Sequence, residues 1–596
     1  MNRIHRIVIS LAIALLAFGH ANEVRLQVPL DKIHSPTYLY APPTNGGVLL
    51  TEPNGRTIRF YYRLDGAVRS EKGIGGVDEG AGSVVYQDVS TDGGRTWQLG
   101  IKAFETGKNS HSDIAAVNPQ TGEVYWIYRR NQKSYLIRTS DNWKDWSNEV
   151  EVPFAIKYDS TSLMWLKDKK KNGFHRMVVV TRQLGNGSVS YVSDDDGATW
   201  KGPSNLCTCP LLPGRWSDRG ISGHVVELGD GQLWMLLRNA QDHLWEYFSK
   251  DRGISWSEGR PSRFVGHYSN VRFRRIPDGR LLILWLNSVP RRGLDKRHNY
   301  HKTSRDVLHA AISADDGQTW QGFREVVLSK KRHSLVYTKS KAYDATIHHQ
   351  KFTVTKDGKV VVFTGQDDNR TTYTSEHRQA VIFDLDWLTE TSHHTDFSKG
   401  YADLSVQKFS KSPGKNTYDY SRVLGATLVE HPTTPFKKVL HLGREKCDWV
   451  RNEQDGANWN FPVGKKGTLE TRFFLRKGFQ GGAISLTDVF HPPSDNSSDE
   501  AAMYKFDIPA DGRIGPTTTL EPGTWYNLKL QWTGVEDPGA HFCKVYLDGQ
   551  LQSWLLPLKN PSRNGISYVR YRSTAQTEDL AGWLVEGIQA NVHSEE

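Results

Sequence analysis

Cysteine is scarce in this chain: 4 among 596 residues, at positions 207, 209, 447 and 543. Their spacing forms no zinc module, which removes the commonest reading of clustered thiols. Cys447 and Cys543 are a candidate bridge, whereas Cys207-Thr-Cys209 encloses too short a loop to pair easily. Long apolar runs are lacking too. The stretch Ile7 to Phe18 falls short of the roughly 20 residues a spanning helix needs, and no later one reaches that length, so no membrane span is expected. No Walker sequence, phosphate-binding glycine loop, Ser-His-Asp nucleophile elbow or metal-ligand cluster occurs. Neither a cofactor nor a metal is therefore expected.

What is present is a turn-rich, aromatic-rich chain, with 37% hydrophobic residues, 53 Gly and 19 Trp and a mean hydropathy of −0.57. These values suit a soluble all-β protein better than a helical one. The net charge of +10 is spread along the chain rather than gathered. It fits attraction to an acidic glycan or polysaccharide better than nucleic-acid binding. Arg3 and Arg6 precede the N-terminal apolar run, and small residues stand at Gly19 and Ala21. The expectation is a signal peptide, 1–21, cleaved after Ala21, with a secreted or periplasmic product.

One turn motif recurs. It reads Ser90-Thr-Asp92-Gly-Gly94-Arg-Thr96-Trp97, then Ser193-Asp-Asp195-Asp-Gly197-Ala-Thr199-Trp200, Ser249-Lys-Asp251-Arg-Gly253-Ile-Ser255-Trp256 and Ser313-Ala-Asp315-Asp-Gly317-Gln-Thr319-Trp320. A degenerate fifth copy starts at Thr139 and keeps Asp141 and Trp146. In such a turn Asp accepts following backbone N–H groups, Gly takes the positive φ, and Trp packs beneath. A four-stranded propeller blade takes roughly 40 to 60 residues, and these copies recur at that period, so about 370 residues form six blades.

The motif is the Asp box, or BNR repeat, and with the segments at Phe273 and His309 it resembles the sialidase (neuraminidase) superfamily over roughly residues 35–390. The implied fold is a six-bladed β-propeller, 22–390. A polar segment, 391–415, reads as a linker. Alternating strands in 416–596, such as Gly467 to Leu475 and Thr524 to Trp532, resemble a laminin-G or concanavalin-like β-sandwich (jelly roll).

Sialidases, as a family, clamp the substrate carboxylate with three arginines, attack with a Tyr and protonate with an Asp; a phenol approaches an anionic centre with less repulsion than a carboxylate would. The resemblance places the second arginine at Arg238, after Val225-Val-Glu-Leu-Gly-Asp-Gly, and the third at Arg305. It places the nucleophile at Tyr343 and the acid at Asp78, with Glu79 beside it. Two features depart from the family pattern. Its N-terminal Arg-Ile-Pro is missing, leaving Arg63 as a weak substitute, and Ser222 stands where the helper Glu is expected. His224, two residues on and so on the same strand face, becomes the candidate base. His111 and Asp113 are further candidates for substrate binding.

The expected activity is exo-acting removal of a terminal acidic sugar, sialic acid or a relative, by a glycoside hydrolase. His, Tyr and Arg in one channel also suit a lyase acting on a uronic-acid polysaccharide. A propeller that binds glycan without turnover is the third reading.

Overall fold

The computed structural model describes residues 22–40, 47–62, 82–139, 145–156, 162–170, 172–183, 187–210, 219–239, 242–266, 269–289, 305–330, 332–333, 347, 349–365, 378–411, 420–446 and 454–593. Among them the only helical elements are short 3-10 turns, and antiparallel sheets make up the rest.

The first group of sheets is a β-propeller. An eight-stranded sheet covers the first part of the chain, and the long strand Thr96–Val117 serves three neighbours there, the first being Asn22–Arg25 along its N-terminal end. Its first half pairs with Gly82–Ser90 and its second with Val124–Arg130. Three smaller sheets follow: Ser162–Lys169 to Gly187–Ser193, Ile221–Glu227 to Arg260–Val265, and Arg272–Arg275 to Gln321–Leu328. In a fourth, Lys351–Val354, Lys359–Thr364 and Gln379–Asp384 are completed by the N-terminal strand Thr37–Tyr40. Joining the two ends of the propeller chain in one sheet closes the ring.

Strands in the middle of these sheets are covered on both faces by their neighbours, so they read as unbroken apolar runs rather than alternations. Leu233–Arg238 and Leu281–Trp285 are buried at every position. Trp234 illustrates the packing between sheets: its ring meets Phe273 edge-on at 4.9 Å and lies 6.4 Å from Trp320.

The repeated turn forms as its chemistry dictates. In the copy at Ser313, Oγ of that serine donates to Asp315 at 2.8 Å and accepts the N–H of Gly317, while Thr319 N–H donates to Asp315 at 2.9 Å. Burial alone would raise the Asp315 pKa, but these hydrogen bonds outweigh it and hold the carboxylate below its ordinary range. Gly317 has φ +86, and a Cβ there would sit 2.4 Å from the Trp234 ring. The degenerate copy keeps a bridge between Thr139 and Trp146, while its Asp141 lies outside the described residues.

Six strands, one from each expected blade, line a single cavity of about 570 Å³: Val48–Thr51, the second half of Thr96–Val117, Ser162–Lys169, Ile221–Glu227, Arg272–Arg275 and Lys351–Val354. Neighbouring inner strands adjoin from Lys351–Val354 round to Arg272–Arg275. The remaining gap is crossed by Arg272 Nε and Arg274 Nη1, which donate to the carbonyls of Gln350 (2.6 Å) and Phe352 (3.3 Å).

Apart from two two-stranded ribbons, the remaining strands form two larger sheets of eight and five strands around one core that includes Trp459, Phe473, Trp532 and Trp583, the face-to-face layering of a sandwich. Here the expected alternation is met: Gly467–Leu475 buries every second residue. Of the expected linker at 391–415, the described residues 391–411 are built into the sandwich. Ser392–Thr395 pairs with Asp579–Val592, and Leu404–Ser405 pairs with Gly456–Gly464. Its polar composition conceals Phe397, Leu404 and Val406, all fully buried in the sandwich core. Cys543 is a buried free thiol; Cys447, its candidate partner, lies outside the described residues.

Sandwich and propeller share a bonded junction. Phe490 N–H donates to the Asn287 carbonyl at 2.9 Å, and Asn460 joins Glu325 N–H to the carbonyls of Phe323 and Ser567.

Candidate active site

Register separates the two ends of the propeller. Leu233 pairs with Ser249 at the start of a repeated turn, whereas Arg238, at the far end of the same strand, pairs with Ile221. Arg238 thus sits opposite the repeated turns, where the inner strand Ile221–Glu227 begins. Arg305 shares that end, because it precedes the strand Val307–Ser313 whose other end opens the last repeated turn.

Arg238 is buried, and its Nη1 donates to Oδ1 of Asn270. Ser222 Oγ donates to the same oxygen at 3.2 Å. The Asn270 amide donates in turn to Nδ1 of His349 at 2.9 Å. Asn270 is neutral, so it orients the guanidinium without cancelling its charge.

A second chain of contacts runs beside the first. Arg272 donates from Nη1 to Nε2 of His224 at 2.7 Å and from Nε to the Gln350 carbonyl, while Gln350 Nε2 donates to the carbonyls of Asn270 and Leu284. Three consecutive inner strands are stitched together at the level of Arg238. His224 accepts from a guanidinium, so its Nε2 carries no proton, and a base acting through that nitrogen would first have to lose Arg272.

Three residues at this end carry backbone strain. Ser222, Arg305 and His349 all take positive φ, at 56°, 47° and 57°. Each costs a non-glycine residue on the order of 1–3 kcal/mol, and such residues persist where the surroundings over-determine them, which is often at functional sites. Ser222 lies in the register shift between Ile221 and His224, and the Arg305 carbonyl accepts Ile347 N–H at 3.0 Å.

Of the residues singled out from sequence, Arg238, Arg305 and His224 thus lie at one end of the inner strands or inside the channel. His111 and Asp113 lie on Thr96–Val117, opposite Arg129 and Tyr128, and their side chains fall outside the description. Tyr343, Asp78, Glu79 and Arg63 lie outside the described residues. Sequence reasoning missed Asn270 and Gln350. For Asn270 the available signal was its spacing of two from Arg272, which places both on one face of an extended chain. Among the described residues no group of three or more His, Cys, Asp or Glu is arranged to hold a metal.

The family model of a BNR repeat-like domain matches residues 176–425. Trypanosoma rangeli sialidase in complex with sialic acid is similar at 13% identity and TM-score 0.37, covering 98% of this chain and 97% of that one. A protein of unknown function from Dyadobacter fermentans is similar at 18% identity and TM-score 0.38, covering 61% and 98%. No curated protein matches the chain. The matched stretch contains Ser222, His224, Arg238, Asn270, Arg272, Arg305, His349 and Gln350, together with three of the four well-formed repeated turns.

Proposed function

We propose that the protein is an exported, exo-acting glycoside hydrolase of sialidase type that removes a terminal acidic sugar. The observation that carries this reading is Arg238: a buried guanidinium at the end of the inner strands, oriented by the neutral Asn270. Such a group suits the bidentate recognition of a carboxylate. Arg305, strained and at the same end, is assigned to the same carboxylate. Tyr343 is assigned as nucleophile and Asp78 as acid on the family resemblance. His224, occupied by Arg272, is assigned to positioning rather than to proton transfer.

The test is product analysis of the mature protein with a fluorogenic sialoside and with a panel of uronate-containing polysaccharides. Free sialic acid, lost on Tyr343→Phe, supports the hydrolase. An unsaturated product absorbing in the near ultraviolet would overturn it in favour of a lyase. Binding of every substrate without turnover would leave a glycan-binding propeller.

A further inference from the structure

The propeller does not build the end that carries Arg238 and Arg305 alone. Leu281–Trp285 and Val307–Ser313 are paired neighbours, with Trp285 opposite His309. Residues 287–289, after the first strand, and Arg305 and Asp306, before the second, therefore stand at the same end of the sheet. The sandwich holds both groups. Phe490 N–H donates to the Asn287 carbonyl at 2.9 Å, and the Phe490 carbonyl accepts Val289 N–H at 3.0 Å. Asn287 Nδ2 donates to the Asp488 carbonyl at 2.8 Å.

On the returning strand, Gln407 Nε2 donates to Oδ2 of Asp306 at 3.1 Å, and both side chains are buried. Val307 packs with Phe490 and Tyr568 in a small core of its own. The Asp306 carbonyl accepts Ser329 N–H at 2.8 Å. The turn that starts at Ser329 is tied to the sandwich in its turn, because Arg332 donates to the carbonyls of Ala402 at 3.1 Å and Leu404 at 3.0 Å.

Arg305 stands directly before these anchors, at φ 47°, with its carbonyl accepting Ile347 N–H at 3.0 Å. A non-glycine residue persists in the left-handed region where surrounding contacts over-determine it. Here they come from two directions. Ile347 acts from the propeller on the Arg305 carbonyl, while Gln407, Phe490 and Tyr568 act from the sandwich on the next two residues. We infer that the sandwich completes the candidate site, with Gln407 and Phe490 as positioning residues that fix Arg305 for a substrate carboxylate. Their effect on substrate rests on the reading of Arg305 proposed above, whereas their hold on its backbone is independent of the reaction.

Gln407→Met fills a similar volume without the donor. In the full chain it is expected to speed amide exchange at Ile347, read by mass spectrometry on peptides spanning that residue, by about tenfold or more. It is also expected to raise KM for a fluorogenic sialoside about tenfold while kcat stays within about twofold. Asn460 joins the same two domains further along the blade, through Glu325 N–H and the carbonyls of Phe323 and Ser567. Asn460→Ala should therefore lower the melting temperature and leave both readings unchanged. Unaltered exchange at Ile347 in Gln407→Met would overturn the hold on Arg305. If the wild-type protein cleaves no sialoside, the proposed reaction falls while the exchange measurement still decides that hold. Faster exchange with KM unchanged, or an equal rise of KM in Asn460→Ala, would overturn the positioning role. Phe490→Leu trims the contact on Val307 and keeps the backbone pairing; it is expected to give the same two shifts, and it decides by the same outcomes should Gln407→Met fail to fold.

Discussion

Arg272 reaches across from one inner strand to the next and donates to Nε2 of His224 at 2.7 Å. An imidazole that accepts from a guanidinium stays neutral, because protonating it would both break the bond and set two cations together. His224→Gln retains a carbonyl acceptor for Arg272 and is expected to keep kcat/KM within about threefold of wild type. His224→Ala, which removes that acceptor from Arg272, is expected to lose about tenfold. A general base at this position would instead show a loss of about 10²- to 10⁴-fold in both variants, together with loss of the acidic limb of the pH profile.

The junction between propeller and sandwich holds a directed chain of hydrogen bonds. Asn287 N–H donates to Nδ1 of His309 at 3.1 Å, His309 Nε2–H to the Tyr568 hydroxyl, and that hydroxyl to Glu325 at 2.7 Å. Burial lowers the His309 pKa to about 3 and raises that of Glu325 to about 7. The signs oppose. For His309 the unfolded chain binds the extra proton, so its contribution is full above about 6.5 and is lost as pH falls towards 3. For Glu325 the folded protein holds the proton, so its contribution is full below about 4.5 and is lost as pH rises towards 7. The junction is therefore expected to be most stable at mildly acidic pH. Glu325→Gln, which cannot ionise and still accepts from Tyr568, is expected to match wild type near pH 5 in thermal unfolding and to gain on it as pH rises to 8, by up to about 3 kcal/mol.

The repeated turn is scaffold, and Gly317 tests that. Alanine there must adopt φ +86 and place its Cβ 2.4 Å from the Trp234 ring. The expected cost is about 2–4 kcal/mol in thermal or denaturant unfolding. At a temperature where the variant is folded, kcat should be unchanged, because this turn lies at the end of its sheet away from Arg238 and Arg305. A loss of kcat without loss of stability would show that the turn reaches the site.

Much of the scaffold was legible because each repeated turn carries its own hydrogen-bond donors, acceptor and glycine within eight residues. Each copy then marks the end of a hairpin without any long-range information. The strand that ends on Arg238 was legible as an apolar run after an Asp-Gly hairpin, while the role expected of Arg238 came from the family resemblance. What was hidden depends on contacts between distant positions. Asn270 and His349 meet across 79 residues from separate sheets, and the strain at Ser222 and Arg305 belongs to the backbone rather than to residue type. The segment 391–415 misled because composition averages over a window, whereas burial there depends on a few residues such as Phe397 and Leu404 set among polar ones.

Asn270 provides the most discriminating substitution at the candidate site. Its Oδ1 accepts from both Arg238 and Ser222, so it fixes where the guanidinium points while leaving the positive charge for a substrate. Asn270→Asp keeps an acceptor in the same place and adds a negative charge, which would hold Arg238 at least as firmly but neutralise it and repel a substrate carboxylate. Asn270→Ala frees Arg238 to move but leaves its charge. If Arg238 binds an acidic sugar, the aspartate variant should be the worse of the two, with KM for a fluorogenic sialoside rising by about 10- to 100-fold, a loss on the order of 1.4–2.8 kcal/mol. If Arg238 is merely structural, the order reverses, because the carboxylate makes the stronger brace and alanine removes it. Measuring KM and thermal stability for the two variants side by side separates these outcomes, since a structural brace moves stability first and a carboxylate clamp moves KM first.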